Sequence, residues 1–236
     1  MSLIASFQKK SKMETAIKQI AQARNDESGT ADQLYKHIYK TFTDVVSDEP
    51  MRAQALYNWG AALLYQAKVK QDDEAVALYQ DAISKFEFCL LLQPAYLAAA
   101  IDSGVAYMDM ARVKNAAADD DLYDQAKKQF ERANAIQADT ASYNLACIYG
   151  LRGDNDACLK ALQSAKNKAS LPDEADITND PDMASVKDQE WFVAFIESLA
   201  KQPEPEEIIE TPAMIEAKEA ELLKATQKAE NAKYYQ

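Results

Sequence analysis

The chain has 236 residues, 38 acidic and 26 basic side chains with one histidine, and a net charge of −12. Gly and Pro are scarce, at 5 and 7 residues, while Ala, Leu, Gln, Lys, Asp and Glu abound, which favours helix over strand. The charge is uneven: residues 1–171 carry 22 acids and 20 bases, residues 172–236 carry 16 and 6. Phosphate recognition needs clustered Lys and Arg, so nucleic acid is excluded as a partner class. The longest apolar runs are about six residues, against the roughly 20 that a membrane span needs. The start leads into Lys9 and Lys10 without a secretory leader, and a cytoplasmic protein is expected.

Helical spacing is first met over residues 8–24 (Met13, Ala16, Ile17, Ile20, Ala21). Thr30 is the expected cap of a second helix with Leu34, Ile38, Phe42, Val45 and Val46. A third helix is expected from Met51 to about Lys70, and a fourth from Asp72-Asp73-Glu74, where acids suit a helix N-terminus, to Leu92. A fifth carries Tyr96, Ala100, Gly104, Tyr107 and Met108, and a sixth opens at Asp119-Asp120-Asp121. Thr140 is the expected cap of a seventh with Tyr143, Leu145, Ala146 and Tyr149. Arg152-Gly153-Asp154 reads as a tight turn into an eighth, ending near Ala169.

One unit is copied along this run. Leu34-Tyr35, Leu78-Tyr79 and Leu122-Tyr123 recur every 44 residues, each followed by Phe (Phe42, Phe86, Phe130) and then a small or branched residue (Val45, Cys89, Ala133). Pro50 and Pro94 keep the register. A fixed period means that each unit buries its face on its neighbours. The three cysteines, Cys89, Cys147 and Cys158, sit where the repeat wants small packed side chains and are expected as buried free thiols.

These residues resemble tetratricopeptide (TPR) repeats. The second copy reads Leu56, Trp59, Gly60, Leu63, then Tyr79, Ala82, Phe86, Cys89, Pro94; the third reads Ala100, Ser103, Gly104, Tyr107, then Tyr123, Ala126, Phe130, Ala133. The fourth reads Ser142, Leu145, Ala146, Tyr149, then Gly153, Cys158, Leu162, Ala165. Gly60 to Ala82 and Gly104 to Ala126 are 22 residues apart, against 12 for Ala146 to Cys158, the common TPR spacing. The long units are expected to carry longer helices or longer loops. Phe86 and Phe130 are expected between successive units.

The resemblance implies an all-α fold, a right-handed α-solenoid of antiparallel helix pairs with units over residues 8–50, 51–94, 95–138 and 139–170. Asp180-Pro181-Asp182 through Trp191, Phe192 and Phe195 is similar to the segment that closes bacterial TPR arrays, which implies a bacterial protein with a cap over residues 181–200 covering the fourth unit. An acidic Pro-containing linker is expected over 201–211. A C-terminal helix over 212–236 is expected to dock on the array, pair with another copy or extend free.

The family's concave groove is lined by the first helices of successive units. The resemblance places Gln54, Tyr57, Asn58, Ala61 and Tyr65 there, followed by Ile101, Asp102, Val105, Met108 and Asp109, and then Tyr143, Asn144 and Cys147. Family members that clamp a C-terminal carboxylate use Lys and Arg at such positions, which this set lacks, so that role is rejected. The expected function is a non-catalytic adaptor that holds a peptide or amphipathic helix of another protein. Self-assembly into a homo-oligomer through the C-terminal helix or the aromatic cap is the second reading. His37 stands alone without a Cys cluster, and the acid runs at 72–74 and 119–121 read as helix starts, so neither a metal nor another cofactor is expected.

Overall fold

The computed structural model describes residues 3–26 and 29–200. The linker and C-terminal helix expected over 201–236 lie outside the described residues. Ten α-helices follow one another among the described residues: α1 (Leu3–Arg24), α2 (Ala31–Val45), α3 (Arg52–Ala67), α4 (Asp72–Leu92), α5 (Leu97–Val113), α6 (Asp121–Ile136), α7 (Ser142–Leu151), α8 (Asn155–Asn167), α9 (Glu174–Asn179) and α10 (Glu190–Ala200). Short 3₁₀ turns occupy Glu49–Met51 and Pro181–Met183. The repeat body runs to Phe195, and from Ile196 a second unit begins.

Neighbouring helices pack as hairpins, α1 on α2, α3 on α4, α5 on α6 and α7 on α8, and each hairpin packs on the next. This is an all-α helical-repeat solenoid. Its 44-residue columns are its core. Tyr35, Tyr79 and Tyr123 are buried, and Phe42, Phe86, Phe130, Val45, Cys89 and Ala133 are fully so. A buried aromatic contributes about 3–5 kcal/mol against Ala, so the repeated Phe column is the main apolar anchor of each second helix.

The Phe86 and Phe130 rings pack within their own hairpins. A Cβ built on Gly60 would come within 2.7 Å of the Phe86 ring, and one on Gly104 within 2.5 Å of the Phe130 ring. The missing Cβ is what lets the ring seat there. In the fourth hairpin Ala146 and Cys158 make the same close approach, with the Cys158 thiol 3.4 Å from the Ala146 carbonyl.

The extra residues of the long units are distributed differently. In the second unit they lengthen α4 to 21 residues and leave only 68–71 as the turn. In the third, α5 stops at Val113 and residues 114–120 form a loop in which Asn115 has φ +49°. Asp120 starts α6, accepting from the Leu122 N–H at 2.9 Å. Asp154 does the same for α8, accepting from the Ala157 N–H at 3.2 Å after Gly153 turns the chain at φ +67°. Two expected caps are not made. Thr30 has helical backbone angles and its hydroxyl donates to Asp26 at 3.2 Å. Helix α7 starts at Ser142, after Thr140, and the Ala141 N–H is taken by Asn134 Oδ1 at 2.7 Å.

Candidate functional site

Helices α3, α5 and α7 are the first helices of their hairpins, and α3 also packs directly on α5. The residues expected to line a groove lie on these three helices, in different surroundings. Tyr57 on α3 donates its hydroxyl to Asp102 Oδ2 on α5 at 3.1 Å. Its ring lies 6.0 Å from Phe86 and 5.0 Å from Tyr96, centroid to centroid. Burial raises the Asp102 carboxyl above its ordinary value, and the hydrogen bond from Tyr57 partly offsets this. Ile101 and Val105 are half-buried beside Asp102, whereas Met108 and Ala61 are buried in the packing.

Gln54 is exposed, and its carbonyl accepts from the Asn58 amide at 2.8 Å. Tyr65 is half-buried with the Arg24 guanidinium of α1 over its ring at 3.9 Å, a cation–π contact. The N-terminal end is tied by a polar network. Gln66 accepts from the Tyr39 hydroxyl and donates to Asp32 at 2.9 Å, and Lys70 pairs with the same carboxylate at 2.7 Å.

At the α7 end the chain itself fills the face. The Tyr143 hydroxyl donates to Asp180 Oδ2 at 2.7 Å, and the Cys147 thiol lies 3.6 Å from the same oxygen. Asn144 is half-buried on the same helix. Asp182 is buried and pairs with Arg112 of α5, whose guanidinium also holds Asp109 at 2.6 Å. Lys68, just after α3, reaches Asp109 at 3.4 Å. Met183 is fully buried next to Cys158, and the Ser185 hydroxyl donates to the Gly150 carbonyl. Asp180-Pro181-Asp182 is thus a wedge against α5 and α7, while Phe192 and Phe195 are the buried residues of α10, with Lys166 of α8 5.9 Å from the Phe195 ring.

Lys68 and Arg112 are not among the residues expected on this face, because each lies one turn beyond the expected stripe: Lys68 follows Tyr65 by three residues, and Arg112 follows Met108 by four. Both cations are engaged by carboxylates of the chain. The donor atoms of Cys147, Asp180 and Asp182 lie within 4.8 Å of one another. Burial and the two carboxylates raise the Cys147 thiol well above its ordinary value. Metal ligation needs a thiolate, and Arg112 already neutralises Asp182, so this cluster works as a hydrogen-bonded lock.

Burial also raises the Asp182 carboxyl, outweighing the opposing pull of Arg112. Replacing Arg112 by Met leaves that carboxyl unpaired and should cost about 1–3 kcal/mol at neutral pH. A folded-state value above the unfolded one means that stability is lost as pH rises through the folded value and regained below the unfolded one. The deficit of Arg112→Met should therefore shrink towards about pH 4. Urea midpoints of both proteins at the two pH values check this, and a pH-independent deficit would contradict the lock.

Residues 32–152 match the family described as plant specific mitochondrial import receptor subunit TOM20. The chain belongs to this family. The match begins on α2 and ends just after α7, so it covers the α3–α5 face and all three copies of the 44-residue period. No curated protein matches the chain. Membership in the TOM20 family corrects two expectations. The protein is not of a bacterial TPR family, although TOM20 is TPR-like. The cytoplasmic placement is likewise overturned, since the family is a receptor of the mitochondrial outer membrane. Composition and hydropathy say nothing of how a receptor is held on a membrane surface. Among the described residues no helix is long and apolar enough to cross a membrane. A receptor family agrees with the broad expectation of non-catalytic protein binding.

Proposed function

We propose that this chain is a receptor that captures the targeting segment of a precursor protein, a basic amphipathic helix, on the face formed by α3 and α5. Membership in the import-receptor family supports this reading. Mitochondrial targeting segments are amphipathic, Arg-rich and poor in acids, and a helix of that kind needs an apolar strip flanked by carboxylates.

The observation that carries the proposal is the composition of the open part of this face. Ile101, Val105 and the Tyr57 ring supply half-exposed apolar surface around the Asp102 carboxylate. Asp109, one turn after Val105, is already held by Arg112 and Lys68, so Asp102 is the carboxylate that the apolar strip surrounds. The contact is bounded on one side by Arg24 over Tyr65 and on the other by the Arg112–Asp182 lock. Two hairpins therefore present the contact, and the wedge closes off the third.

Fluorescence anisotropy of a labelled synthetic helix, with Leu on one face and Arg on the other, tests it against the full chain. Ile101→Lys places a charge in the apolar strip and should weaken binding by about tenfold or more, the scale of a hot-spot loss, with native helix content. Affinity should fall as salt is raised, because carboxylate–Arg attraction is screened. Unchanged affinity in Ile101→Lys would contradict the placement.

A further inference from the structure

Helix α4 ends on an apolar shelf that the packing of the repeat does not use. Leu91 is 75% exposed, Phe88 55% and Leu92 48%. Their spacing of three and four residues puts them on one side of the helix. Apolar residues scattered singly on a surface are ordinary, but a contiguous group beside a hollow is a mark of a contact surface.

A hollow of about 550 Å³ adjoins the shelf, walled by Leu92, Pro94, Ala95, Tyr96, Leu97 and Ala98. That size suits one or two large apolar side chains. Tyr96 joins it to the α3–α5 face, because its ring lies 5.0 Å from that of Tyr57. The wall is held in place from behind: Arg132 donates to the Leu90 and Pro94 carbonyls at 3.2 and 3.1 Å.

The charges around the shelf are arranged by sign. Asp81 and Glu87 of α4 are exposed, and Glu49 lines a smaller hollow that shares Leu92 and Gln93 with the first. The cations nearby each have a partner within the chain, although Arg52 also lines the smaller hollow. Lys85 lies 4.9 Å from the Trp59 ring, Arg52 donates to the Val46 carbonyl at 3.0 Å, and Arg132 is committed as above. Apolar surface rimmed by outward carboxylates complements a helix with one apolar and one basic face.

We infer that the α4 shelf and the Leu92–Ala98 hollow form a second contact surface, which takes large apolar side chains of the same basic amphipathic helix where it crosses the α4–α5 edge. This inference rests on the proposed receptor reading, and one experiment separates the two. The labelled Leu/Arg helix is titrated into the full chain and into Leu91→Asp, Phe88→Ser, Ile101→Lys and, as an exposed control on α10, Val193→Asp.

Leu91→Asp and Phe88→Ser should each weaken binding about tenfold with unchanged circular dichroism, while Val193→Asp leaves it unchanged. Both shelf residues are exposed, so their replacement spares the fold. Wild-type affinity in both shelf variants, with a loss in Ile101→Lys, would overturn the second surface and leave the receptor reading standing. No saturable binding to the unaltered chain would overturn both. A wild-type dimer in sedimentation that Leu91→Asp dissociates would assign the shelf to a second copy and overturn the inference.

Discussion

Replacing Phe130 by Ala should lower the unfolding free energy by about 3–5 kcal/mol, the range for deleting a buried aromatic. The ring is fully buried and sits against Gly104 of the preceding helix of its hairpin. Its loss leaves a cavity between α5 and α6 that the surrounding packing closes only in part. The reverse change tests the same contact from the other side. A Cβ at Gly104 would meet Phe130 Cε1 at 2.5 Å and Cδ1 at 2.7 Å. With no space for the ring to swing into, Gly104→Ala should cost about 1–3 kcal/mol by overpacking. Combining Gly104→Ala with Phe130→Leu should cost less than the two single changes added, since neighbours that share one space are not additive. Urea unfolding of the four proteins checks this, and simple additivity would contradict the packing described.

Gly150→Ala should be the most damaging small substitution at the other end of the array. Its Cβ would come within 2.8 Å of the Asp182 backbone carbonyl and 3.1 Å of the Met183 sulfur. Backbone is less able to yield than a side-chain tip, so the wedge must move. Several contacts then go together: Arg112–Asp182, Tyr143–Asp180, and the burial of Met183. A loss of about 2–4 kcal/mol is expected, a lost buried pair added to overpacking. The direct readout is the Cys147 thiol, now shielded by Asp180. It should react with a thiol reagent far faster in Gly150→Ala than in the unaltered chain, and equal rates would show that the wedge stays seated.

The repeat was legible because packing imposes it. Every unit must bury the same face, so Tyr35, Tyr79 and Tyr123 recur with Phe42, Phe86 and Phe130 at a fixed period, and the structure buries all six. What lay outside that period was not legible. Helix α9, with six residues, is too short for a helical spacing to show. The wedge depends on contacts between residues far apart in sequence, Arg112 with Asp182 and Tyr143 with Asp180, which no local pattern encodes. Tyr143 and Cys147 have the expected positions on a first helix, yet they meet the chain's own carboxylate. Phe88, Leu91 and Leu92 fall at the end of the expected fourth helix, and sequence does not reveal which side of a helix its neighbours leave open.

Location failed for a different reason. It is set by what the protein is attached to, and composition carries no record of that. The binding partner became arguable only when the family match and the geometry of the α3–α5 face stood together.

The most direct test of this account is an amide NMR titration of the full chain with the Leu/Arg amphipathic helix. Saturable shifts are expected along α3 and α5 around Tyr57, Ile101 and Asp102, continuing across Tyr96, with little change at the Asp180–Met183 wedge. A helix that leaves these amides unshifted, or shifts only residues remote from α3 and α5, would contradict it.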